Sequence, residues 1–112
     1  MPQTDDSLAE TLPAPDGMAA QARTAAEFLK ALSHEGRLMI LCHLVAGEKS
    51  VTELERLLDS RQEAVSQQLA RLRLEGLVAA RREGKAIYYS IQDDRVRRTI
   101  ALMYDLFCKG AC

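Results

Sequence analysis

Apolar residues recur at helical spacing in five stretches of the chain and at strand spacing in two. From Met18 to Leu32, Met18, Ala22, Ala25, Leu29 and Leu32 share one side of an alanine-rich helix. From His34 to Ala46 the inner face is Leu38, Leu41, Cys42 and Val45, with Ser33 as N-cap and Gly47 as stop. Val51, Leu54, Leu57 and Leu58 make the face of a short third helix, and Val65, Leu69 and Leu72 that of a fourth over 61–75, which Gly76 ends. Both starts carry a capping box: Ser50 precedes Glu53 by three residues, and Ser60 precedes Glu63 likewise. Only Asp59 and Ser60 separate these two helices, which leaves room for nothing but a turn. A helix-turn-helix is therefore expected.

Residues Leu77–Arg82 and Ala86–Ile91 then read as strands around Glu83-Gly84-Lys85, with Ile87, Tyr89 and Ile91 alternating with Tyr88 and Ser90. Gly84 supplies the positive φ of a short hairpin loop. A last helix, capped by Asp93 or Asp94, runs to about Cys108 with Val96, Ile100, Met103 and Phe107 on one face. Helix-turn-helix followed at once by a basic hairpin predicts a mainly α, winged helix-turn-helix fold with a two-stranded wing. Residues 1–16 hold Asp5, Asp6, Glu10, Asp16 and three prolines without periodicity, and are expected to be a flexible acidic tail ahead of a single domain over 17–112.

Charge changes the picture by its distribution. The net charge of the 112 residues is −1, but residues 60–90 carry six cations (Arg61, Arg71, Arg73, Arg81, Arg82, Lys85) against three carboxylates. A basic face of this size neutralises phosphates, and a dimer presents it twice. No apolar run approaches the roughly 20 residues of a membrane span and no secretory signal is visible, so a cytoplasmic protein with no membrane partner is expected. On the outer face of the fourth helix, Ser66 and Gln67 are the candidates for base edges, with Glu63 and Gln68 beside them. Arg71 suits a phosphate, as do Arg81, Arg82 and Lys85 at the hairpin. The first and last helices carry more apolar surface than so small a core needs, which points to a homodimer paired through them.

Three cysteines in a reducing compartment argue against a static disulfide framework. Spacing alone leaves Cys42 and Cys108 open as a functional pair or as two unrelated thiols, one of them a small hydrophobe on an apolar face. Cys112 follows Cys108 in CKGAC, and His34 and His43 form no compact ligand cluster with them. No C-x-x-C motif accompanies a βαβ pattern, so a thiol-disulfide oxidoreductase is disfavoured and no enzyme, cofactor or metal is expected.

The segments LSHEGRLMILCHL, SVTELERLL and VSQQLARLRLEGLVAARREGKAIYYSI resemble the ArsR-type repressors, small dimeric winged-helix proteins of bacteria; the likeness covers roughly residues 20–108. It implies binding of double-stranded operator DNA and dimerisation through the terminal helices. Metal sensors of that family often carry a cysteine pair on the helix before the reading helix, where this chain has VTELERLL and no thiol. Cys42 and Cys108 instead match the persulfide-responsive subgroup. That resemblance implies that low-molecular-weight persulfides bridge them and release the operator, switching on sulfide-metabolism genes. The alternative is a thiophilic metal or metalloid held by Cys42, Cys108 and Cys112.

Overall fold

The computed structural model describes residues 15–58 and 62–108. By contacts the chain divides at Lys30 into two compact units. Helix α1 (Pro15–Leu32) begins three residues before the expected Met18, with Pro15 at the first helical position, where its fixed φ and missing N–H are tolerated. Residues 1–14 of the proposed tail lie outside the described residues. On α1, Met18 and Leu29 are exposed.

The second unit holds α2 (Glu35–Ala46), β1 (Lys49–Ser50), α3 (Val51–Leu58), α4 (Gln62–Leu74), β2 (Val78–Glu83), β3 (Ala86–Ile91) and α5 (Asp94–Phe107), all of them expected except β1. Its core is a layer of side chains between α2, α3, α4 and α5. Ile40, Leu41 and Leu44 of α2 meet Leu54 of α3, Leu69 and Leu72 of α4, and Val96 of α5, each no more than 1 % exposed. Burying each such leucine contributes about 2–3 kcal/mol.

Several local expectations are corrected. The cap of α2 is His34, not Ser33: its imidazole Nδ1 accepts from the Gly36 N–H at 3.1 Å. Cys42 is not on the inner face of α2 but exposed, because Ile40, Leu41 and Leu44 turn inward instead. Leu57 and Phe107, each read as part of an apolar face, are 50 % and 74 % exposed.

The sheet has a third strand beyond the expected pair. Its order is β1-β3-β2, antiparallel throughout, with Lys49 opposite Tyr89 and Ser50 opposite Tyr88. The hairpin turn is tighter than expected, since Glu83 pairs with Ala86 and only Gly84 and Lys85 connect the strands. At the junction of β1 and α3 the capping box forms: the Ser50 N–H donates to Glu53 Oε1 (2.8 Å) and the Glu53 N–H to Ser50 Oγ (3.1 Å). The Ser60–Glu63 box lies outside the described residues.

Helix α4 stops in a Schellman motif. Gly76 (φ 78°) donates its N–H to Arg73 O, and Leu77 donates to Leu72 O, with Leu72 and Leu77 both buried. This stop turns the chain directly from α4 into β2 and fixes the wing beside the helix.

Candidate nucleic-acid interface

Helix α4 splits cleanly into two sides. Val65, Leu69 and Leu72 are buried against the other helices, while Ser66, Gln67, Ala70 and Arg71 are exposed. The structure thus brings Ser66 and Gln67 together on one open helical surface. Glu63 lies in the first turn of α4, its side chain outside the described residues. Arg71 faces the same solvent and pairs with Glu75 one turn on (3.3 Å), a surface ion pair worth little and readily exchanged for a phosphate.

Gln68 has another environment. It is half-buried, and its Oε1 accepts from Arg37 Nε at 2.9 Å. Arg37 of α2 also donates from Nη1 to the Ala31 carbonyl at 3.1 Å. Gln68 further lines a cleft of about 460 Å³ beside the start of α2, with His34, Gly36, Met39, Leu58 and Val65.

On the wing, strand alternation separates two arginines that sequence reading grouped together. Arg82 and Lys85 are exposed, Lys85 in the hairpin turn. Arg81 points to the other side. Its Nη2 and Nε donate to Glu48 (2.7 and 3.1 Å), its Nη1 donates to Glu83, and its guanidinium lies 4.9 Å from the Tyr88 ring centre. These bonds, with Glu48 first, hold Arg81 more firmly protonated than an ordinary arginine, and the Arg81 hydrogen bond keeps the Glu48 carboxyl below the usual range. These bonds offset the charge of Arg81 within the fold and tie the wing to the α2–β1 connection. Arg37 and Glu48 had no signal in the sequence, since each acts on a partner more than thirty residues away.

Cys42 is exposed on α2, yet partial burial of its sulfur pushes the thiol above the ordinary value. Cys108 follows α5 directly and is half-exposed, and Cys112 lies outside the described residues. Helices α2 and α5 pack together, with Arg97 Nη1 donating to the Val45 carbonyl at 3.4 Å. Among the described residues no three His, Cys, Asp or Glu side chains converge as a metal site, and no helix is long and apolar enough to cross a membrane.

Comparison with known proteins agrees with the geometry. Residues 34–80 match the model of the bacterial regulatory proteins of the arsR family. The chain is 47 % identical over 91 residues to the biofilm growth-associated repressor of Agrobacterium fabrum, covering 81 % of this chain and 78 % of that one. It is 42 % identical over 86 residues to the transcriptional activator HlyU of Vibrio cholerae, covering 77 % and 80 %. Among solved structures, the transcriptional repressor BigR from Xylella fastidiosa superposes with a TM-score of 0.83 at 40 % identity, over 86 % of this chain and 98 % of BigR. Reduced HlyU from Vibrio cholerae gives 0.78 at 40 % identity, over 83 % and 98 %. With a buried helix-turn-helix core, an open polar face on its second helix and a wing beside it, the chain belongs to the arsR family of winged-helix, DNA-binding transcriptional regulators.

Proposed function

We propose that this regulator is a homodimeric repressor whose operator grip is released when reactive sulfur bridges Cys42 and Cys108. Ser66 and Gln67 read base edges in the major groove, while Arg71, Arg82 and Lys85 contact phosphates. Two protomers pair through α1 and α5. Supporting this, Leu102, Leu106 and Phe107 of α5 are 51 %, 61 % and 74 % exposed, a contiguous apolar surface on one helix end.

The observation that carries the inducer reading is that Cys42 lies on α2 and Cys108 directly follows α5, two helices that pack together. Helix α2 also packs against α4, so a link that pulls on α2 reaches the reading helix. The chemistry balances without an added oxidant. A persulfide R–S–SH transfers its outer sulfur to one cysteine and leaves as R–SH. The second cysteine's thiolate then attacks the inner sulfur and expels hydrogen sulfide, closing a disulfide; further transfers lengthen the bridge.

The test is titration of a palindromic promoter fragment with wild type, Cys42→Ser and Cys108→Ser, with and without persulfide. All three bind equally when untreated. Persulfide lowers wild-type affinity about 5- to 150-fold, the usual range of allosteric coupling, and leaves both variants bound. Normal release of either variant removes the paired-thiol mechanism.

A further inference from the structure

Two glutamines stand side by side on α4, and their surroundings give them different chemistry. Gln67 is exposed. The Gln68 oxygen faces Arg37 Nε at 2.9 Å. A guanidinium carries donors only, so the end that meets it must be the oxygen. The amide nitrogen also lies beside the start of α2: a Cβ built at Gly36 would stand 3.9 Å from it. Reading adenine with a glutamine requires the oxygen to accept from N6 while the nitrogen donates to N7, both turned to one base edge. Gln68 cannot do this while its oxygen is held by α2.

Arg37 is itself fixed at two points. Its second bond runs to the Ala31 carbonyl at 3.1 Å, where the chain passes from α1 into α2. A two-point guanidinium contact of this kind sets both position and plane, which a lysine ammonium does not reproduce. Resting on the reading above, in which α4 enters the groove, we infer that Arg37 is a positioning residue for operator recognition. It withdraws Gln68 from the base edges and leaves the glutamine–adenine pairing to Gln67 alone.

The inference is tested by selecting preferred half-sites from a randomised duplex with the full-length protein and three variants. Arg37→Met keeps the stem and removes the donors; the freed Gln68 then shifts the preferred base at one position of each half-site by about fivefold or more. Gln68→Met, which has no amide to present, selects the wild-type half-site. The double variant Arg37→Met/Gln68→Met returns to the wild-type preference, which a loss of packing alone would not produce. The inference is overturned if Gln68→Met by itself erases a base preference, since Gln68 then reads directly. It is equally overturned if Arg37→Met selects the wild-type half-site with uniformly weaker binding and a shallower salt dependence, the behaviour of a phosphate contact. Should Arg37→Met not fold, Gln68→Met still decides. A wild-type protein that selects no half-site contradicts the DNA-reading function itself rather than the role of Arg37.

Discussion

Arg81 and Arg82 are adjacent in sequence and opposite in consequence. Arg81 is clasped by Glu48 and Glu83 and stacked on Tyr88; Arg82 is open to solvent. Arg82→Ala should therefore weaken binding to every duplex alike and flatten the salt slope by about 1 per protomer. Arg81→Ala should leave that slope closer to wild type and lower the thermal midpoint instead. Equal slope changes in the two variants would show that the Arg81 clasp opens on DNA. Cys42 gives a second prediction at this scale. Burial raises its thiol, so the reactive thiolate is scarce at neutral pH, and alkylation of Cys42 should still be accelerating above pH ~8.5, the ordinary thiol value. A rate already level at pH 7 would mean an activated thiol.

At the scale of elements, what was legible in sequence was whatever local chemistry decides. The Ser50–Glu53 box, the Gly76 stop and the buried stripe Val65, Leu69, Leu72 all depend on residues within one or two turns. What was missed depends on distant partners. A two-residue β1 shows no periodicity, and only Tyr88 and Tyr89, some forty positions on, make it a strand. The Arg37–Gln68 bond likewise has no local trace, so the sequence placed Gln68 beside Gln67 with nothing to show that α2 holds its oxygen. Cys42 was misplaced because Ile40, Leu41, Cys42 and Leu44 offer two overlapping apolar faces, and the packing of α2 against α3, α4, α5 and β3 chooses between them.

The start of α5 shows how far local rules reach. Asp93 accepts from the Arg95 N–H at 2.9 Å, and Arg95's guanidinium holds its carboxyl below the usual range. Asp93→Ala should cost about 1 kcal/mol of stability near neutral pH. Because the folded state lowers this carboxyl, its contribution is complete above the unfolded value near pH 4 and is lost as pH falls through the folded one. The difference in Tm between wild type and Asp93→Ala should therefore shrink below pH ~4; a constant gap would mean that the cap acts through packing rather than charge.

For the whole molecule, the proposed dimer and the proposed switch use the same helix. Leu102 and Leu106 lie one turn apart on α5 and are exposed, so Leu106→Asp should spare the protomer fold, yield a monomer in sedimentation and reduce operator affinity about a hundredfold or more, the loss of linked reading heads. An intact dimer would place the interface elsewhere. Cys108 follows directly after that helix, so a bridge to Cys42 would act on the dimer contact and on α2 together. The most direct measurement is intact mass, with peptide mapping, of the same persulfide-treated sample whose operator binding is followed. The expected result is that the fraction of protein released equals the fraction carrying a Cys42–Cys108 linkage at every dose. Release from protein with unmodified thiols, or firm binding by fully bridged protein, would contradict it.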